Sequence, residues 1–259
     1  MSSISRRQAL RLLTTASATL ALAPTLVLAD DTTVVCGWNK AFPPFSMQKD
    51  GEATGILVDC MNELLCKRMG LTVHHTFDDW PKIQDMARTG KVDTLCTNPT
   101  DPRREFMLFC EQPVVESLPA LFRTKDNPRA AELDRIASVE GLRNFRQVDY
   151  AGNGWAHKTF PPELHITWVD TLADALDMVA QGKADFFLGN SLAAMYVLGQ
   201  KGLKGKFSVH ELSIGEPSSF HFGLRRDFPG AKDLVERFSD ALTHAISQDL
   251  IGKIIMKYM

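Results

Sequence analysis

The segments DMARTGKVDTLCTN (Asp85 to Asn98) and DMVAQGKADFFLGN (Asp177 to Asn190) align without a gap and share Asp, Met, Gly, Lys, Asp and Asn at corresponding positions. Each reads as the end of a helix, a glycine C-cap, a lysine-bearing turn and a strand that stops at Asn. A glycine-lysine turn alone is a common connection between helix and strand. A match that runs through helix, turn and strand is the trace expected of two similar α/β lobes. Asn98 and Asn190 then sit at equivalent carboxyl ends of their strands, where open α/β sheets bind ligands. Two such lobes facing each other enclose a ligand between them.

The rest of the chain fits this division. From Val34 onward, short apolar strands alternate with amphipathic helices, the pattern of an α/β fold. TVVCGW, LTVHHTF and VDTLCTN read as strands. GILVDCMNELLCKRMG reads as a helix, with Leu57, Met61, Leu64, Leu65 and Arg68 at helical spacing and Gly70 as its stop, and Pro81 to Thr89 as another. The polar stretch Arg123 to Arg135 marks the exit from the first lobe. Beyond it, VDYAGNGWAHKTF sets a glycine-rich loop after a strand, and Thr171 and Ser191 are the expected N-caps of two helices. Near the C-terminus, Leu234, Phe238, Leu242 and Ile246 form an apolar helical face that needs a surface to cover, expected on the first lobe. The chain therefore crosses twice between lobes. The expected fold is α/β and two-lobed, with two mainly parallel sheets flanked by helices and a double-crossing hinge. Residues 30–121 and 217–259 form lobe 1, and residues 122–216 form lobe 2.

Residues 1–29 carry arginines 6, 7 and 11 ahead of the uncharged run Leu12 to Leu28, a secretory leader with expected cleavage after Ala29. SRRQAL resembles a twin-arginine export signal, with Ala9 where the usual pattern prefers Phe. An exported, periplasmic location follows. The leader holds three of the 29 basic residues and none of the 31 acidic ones, so the remainder has a balance of −5. No basic patch argues for nucleic acid.

Five cysteines, Cys36, Cys60, Cys66, Cys96 and Cys110, leave at least one thiol unpaired. Cys36 and Cys96, in candidate neighbouring strands, are the first pair to test. Cys60 falls on an apolar helical stripe, where a buried inert thiol is expected. No CxxC or Cys/His cluster points to a metal, and adjacent His74 and His75 in a strand face opposite ways. No cofactor is expected.

Four motifs in order then resemble the family 3 extracellular solute-binding proteins, the amino-acid-binding receptors of ABC importers. GWNKAFPPFSMQKDGEATGILVDCMNELLCKRMG is similar to the family's opening, and FDDWPKIQDMARTGKVDTLCTNPTDPRREFMLFCEQP to its Trp-led and Thr-x-x-Arg segments. GKADFFLGNSLAAMY and ISQDLIGKIIMKYM complete the resemblance, which covers nearly all of the chain after the leader. It implies that Arg103 holds a ligand carboxylate. Independently of the family, an always-charged planar fork of donors suits a carboxylate bidentately. It also implies that Phe42 and Trp80 sandwich the ligand side chain, with Phe45 as core beneath them. Gly154 and Trp155 lie where a Ser or Thr of the family helps hold the carboxylate, and Trp38 replaces a small polar residue.

Three departures bear on the ligand. Asn190 aligns with the family's Asp that receives the ligand ammonium, Asn39 with an acidic position, and Asn98 with a Thr that binds the carboxylate. Losing a carboxylate that faces an ammonium removes a charge-assisted contact. A carboxylate solute without a primary ammonium, or with a methylated cation among the tryptophans, suits such a site as well as an ordinary amino acid. Glu216 is the candidate replacement for the missing negative charge. The expected function is capture of a small carboxylate-bearing solute by hinge closure in a monomeric protein that serves the membrane subunits of an ABC importer. The alternatives are an accessory or sensor role beside a dehydrogenase or receptor, and a dehydratase-like enzyme on the same fold. No nucleophile and base pair marks catalysis.

Overall fold

The computed structural model describes residues 32–259, so the leader reading of residues 1–29 lies outside the described residues. β1 (Thr33–Asn39) is followed by a small antiparallel meander of β2 (Ala41–Phe42), β3 (Ser46–Lys49) and β4 (Glu52–Thr54). α1 (Ile56–Met61) runs directly into a π-helical segment, Asn62–Arg68, and then β5 (Thr72–Asp78). α2 (Trp80–Arg88), β6 (Thr94–Thr97), the single turn α3 (Asp101–Arg104), β7 (Met107–Phe109) and β8 (Val115–Ser117) follow, and the chain continues almost straight into β9 (Pro119–Thr124).

The middle of the chain comprises α4 (Ala130–Leu133), β10 (Gln147–Tyr150), α5 (Gly154–Thr159), β11 (Ile166–Val169), α6 (Leu172–Ala180), β12 (Phe187–Asn190), α7 (Ser191–Gln200) and β13 (Phe207–Glu211). β14 (Ser218–Arg225), α8 (Ala231–Ser247) and α9 (Leu250–Met256) complete it.

The first sheet has the order β5-β1-β6-β14-β7, with β8 also paired to β14. β1 runs parallel to β5 and β6, but β14 is antiparallel to β6, β7 and β8. In the second body β10 and β11 are parallel, β12-β9-β13 is antiparallel, and the bridge Gln147–Phe186 links the two sets. The sheets are therefore mixed, a correction to the expectation of mainly parallel ones. The reason is topological. β6 and β12 end at the cleft, whereas β14 and β9 arrive there from the other body and start at that end, so each runs against the strand it joins.

Among the described residues four buried clusters fill the fold, two for each body. One face of the first sheet packs on α1, α8 and α9, where Phe222 and Phe238 stack at 3.9 Å between centroids. The other face receives Ile83 and Ala87 of α2. Leu234, Phe238 and Leu242 are buried against the first sheet as their spacing required, while Ile246 is exposed. In the second body, α6 and α7 cover one side of the sheet, and α4 and α5 cover the other.

The aligned segments fold alike. Gly90 and Gly182 close their helices at φ +73° and +69°, the left-handed region that favours glycine at a helix end. The next N–H groups, of Lys91 and Lys183, donate to the Met86 and Met178 carbonyls at 2.8 and 2.9 Å. Asp93 Oδ2 accepts from the Val35 N–H and Asp185 Oδ2 from the Arg146 N–H, both at 2.8 Å, so each tethers the following strand to its neighbour. The asparagines differ. Asn190, rather than Ser191, caps α7 by accepting from the Ala193 N–H at 2.9 Å, and Thr171 caps α6 as expected.

Candidate functional site

The carboxyl ends of β1 and β6 open onto a cavity of about 580 Å³ between the two bodies, within the range of small-ligand sites. Trp38 and Asn39 reach it from β1, Phe42 from β2, Trp80 from the first position of α2, and Asn98 from just beyond β6. Across the cleft stand Gly154, Trp155 and Lys158 of α5, and Glu216 with Ser218, Ser219 and Phe220 come from the returning crossing.

Each aromatic is held differently. Trp38 is 3% exposed, and its Nε1–H donates to His75 Nδ1 at 2.9 Å. Phe42 is half-open and stacks on Phe45 at 5.0 Å; Phe45 in turn packs on Phe220 at 4.5 Å and is fully buried. Trp155 Nε1–H donates to the Glu216 carbonyl at 3.0 Å, tying α5 to the crossing. The loop before α5 is built on Asn153, whose Oδ1 accepts from the Ala156 N–H while its Nδ2 donates to Asp149 Oδ1 at 2.9 Å. Asp149 is fully buried, its Oδ2 lacks a partner among the described residues, and burial pushes its pKa up to about 6. A Cβ at Gly154 would meet nothing within 4 Å, so this end of the helix borders open space.

Two of the ten candidate residues stand outside the lining. Arg103 lies behind the wall: its guanidinium sits 5.2 Å from the Trp80 ring, Nε donates to Gln84 Oε1 at 3.0 Å, and Nη1 donates to the Asn98 carbonyl at 2.8 Å. It is half-buried with no acidic partner among the described residues, and desolvation lowers its pKa from the ordinary value. Asn190 Oδ1 accepts from Ser117 Oγ at 2.9 Å as well as capping α7, so its side chain joins β8 to β12 beside the cleft. Asn39 lines the cavity, yet its Oδ1 accepts from the Ala41 N–H at 3.1 Å.

Lys158 was not singled out from the sequence. The available signal was its spacing of four and three residues from Gly154 and Trp155, which puts all three along one helical side. Phe220 and the serines before it carried no signal, since they reach the cavity only because β14 pairs with β6 and β8.

The cysteine pair is a correction. All five thiols are free, and Cys36 is opposite Thr94 in the parallel register. Cys96 lies two residues further along β6, and combining strand spacing with rise puts the two Cα atoms roughly 8 Å apart, too far for a disulfide.

Two facing α/β bodies joined by two crossings, with an aromatic cavity between them, define a solute-binding protein of the two-lobed type II fold. Residues 34–259 match the model of the bacterial extracellular solute-binding proteins, family 3, and the chain belongs to that family. It is 23% identical over 220 residues to a probable amino-acid ABC transporter-binding protein of Haemophilus influenzae, covering 84% of this chain and 80% of that one. It is 24% identical over 224 residues to the L-cystine-binding protein TcyA of Bacillus subtilis, covering 86% and 79%. Among solved structures, the unliganded open L-cystine solute receptor of Neisseria gonorrhoeae superposes with a TM-score of 0.71 at 19% identity, covering 89% of this chain and 93% of that one.

Proposed function

We propose that this protein is exported to the periplasm, captures a small carboxylate-bearing solute, an amino acid or a close analogue, and presents it to the membrane subunits of an ABC importer. The observation that carries this reading is the cavity itself: aromatic walls are supplied by both bodies, and a half-buried arginine without an acidic partner among the described residues stands directly behind Asn98 and Trp80. A carboxylate that reached Arg103 would replace the Asn98 backbone carbonyl as the acceptor of its Nη1–H. Lys158 adds a second positive group from the opposite wall.

The two crossings serve as the hinge. We place them at Leu118 and between residues 212 and 217, because β8 belongs to the first sheet and β9 to the second. On this placement the first crossing would come a few residues before the expected boundary at 121. Closure would bring α5 and Trp155 towards Trp38 and Trp80.

Thermal-shift and calorimetric screening of the chain from residue 30 onward, against L-cystine, the common L-amino acids and N-methylated amino acids, tests this reading. A bound solute at 100 times its dissociation constant adds about 2.7 kcal/mol of stability. If no carboxylate in the panel shifts the transition, solute capture at this cavity is rejected.

A further inference from the structure

We infer that His75, as its neutral Nε2–H tautomer, is the positioning residue that fixes the Trp38 indole against the cavity, and that the π-helical segment anchors it from behind. The inference rests on reading the cavity as the binding site.

Trp38 faces Phe77 in the β1–β5 register, and His75, two residues before Phe77, lies on the same side of the sheet. There the Trp38 Nε1–H donates to His75 Nδ1 at 2.9 Å. An indole nitrogen only donates, so Nδ1 must be bare. The other ring nitrogen, Nε2, lies 2.9 Å from Asn62 Oδ1, an acceptor, so Nε2 must carry the proton. Both contacts select one tautomer of three protonation forms. The Nδ1–H tautomer and the imidazolium would each set two donors face to face at Trp38. Burial and the neighbouring His74 both lower the His75 pKa, which favours the uncharged ring.

Asn62 is the first residue of Asn62–Arg68, the segment in π-helical form, and its Oδ1 also accepts from Cys66 Sγ at 3.9 Å. The wider turn falls at the place where a side chain must reach β5, and such turns occur frequently at functional sites. The chain of contacts thus runs from the helical segment packed on this same face of the first sheet to the cavity wall. His74, by contrast, points outward and is exposed. Without His75 the indole N–H, in a side chain only 3% exposed, has no acceptor and must turn to find one, which changes the wall the solute meets.

The test is nuclear magnetic resonance on the labelled chain without ligand. The Trp38 indole N–H is identified by its disappearance in Trp38→Phe. His75→Leu is expected to speed its exchange with solvent by about tenfold or more, while His75→Asn, whose Oδ1 stands near the position of Nδ1, restores the slow exchange. In the unmutated protein the His75 ring nitrogens should report a proton on Nε2 and none on Nδ1. A proton on Nδ1, or a Trp38 signal unmoved by His75→Leu, overturns the inference. The tautomer measurement needs no variant to fold. Neither measurement needs a solute, so their failure is separable from failure of the capture reading, which the ligand screen addresses.

Discussion

Arg103 donates through Nη1 to the backbone carbonyl of Asn98 at 2.8 Å, and so approaches the cavity wall from behind. The arginine is already desolvated and pointed, but its fork is closed on the chain's own carbonyl and on Gln84. Arg103→Ala is expected to weaken binding of a carboxylate solute by about 1.5 to 3 kcal/mol, roughly ten- to hundredfold, the value of a hydrogen bond to a charged group. The circular dichroism spectrum should be unchanged. Calorimetry showing equal affinity in the variant would remove Arg103 from the site.

Asn190 is a helix cap that also receives Ser117 Oγ. Asn190→Ala should destabilise the protein by about 1 to 2 kcal/mol in urea unfolding, through the lost cap and a hydroxyl left without its acceptor. Asn190→Asp should cost little, because a carboxylate caps equally well. Similar losses from both variants would mean that the amide nitrogen, rather than Oδ1, matters.

Asp149 makes the folded state sensitive to pH in a defined direction. Its pKa is about 6 in the fold against 3.8 for an ordinary aspartate, so the folded state binds its proton more tightly. The associated stabilisation is fully present below pH 3.8 and is lost as pH rises through 6. The shift corresponds to on the order of 3 kcal/mol. Asp149→Asn should remove this trend, so that the stability difference between the parent and the variant moves against the parent between pH 4 and pH 7. Unfolding curves with identical pH dependence for both proteins would contradict this.

The thiols should be inert in the native protein. Burial pushes Cys60 up to about 12 and raises Cys36 and Cys96 as well, and Cys66 alone is half-exposed. A disulfide-exchange reagent is expected to titrate at most Cys66 quickly, and all five thiols only after unfolding. A non-reduced mass two or more daltons short of the free-thiol value would show that a bridge forms after all.

The aligned segments made the duplicated architecture legible in the sequence, because their glycines, lysines and aspartates do local work. A left-handed helix stop and an aspartate that accepts from the next strand's N–H leave the same trace wherever they occur, and Gly90 with Asp93 repeats as Gly182 with Asp185. Apolar periodicity likewise placed Phe238 and Leu242 in the core.

Only the tertiary structure decided what depends on distant strands meeting. β14 enters from the other body and turns the first sheet mixed, carrying Phe220 into the cavity. Arg103 sits behind Asn98 because α3 is a single turn that folds back on the end of β6, and Asn190 is taken up as a cap because α7 begins at once. In the sequence His75 was only one of two adjacent strand histidines facing opposite ways, and the β1–β5 register is what sets it beside Trp38. Period and turn chemistry are written residue by residue, whereas register and facing belong to pairs of segments far apart in the chain.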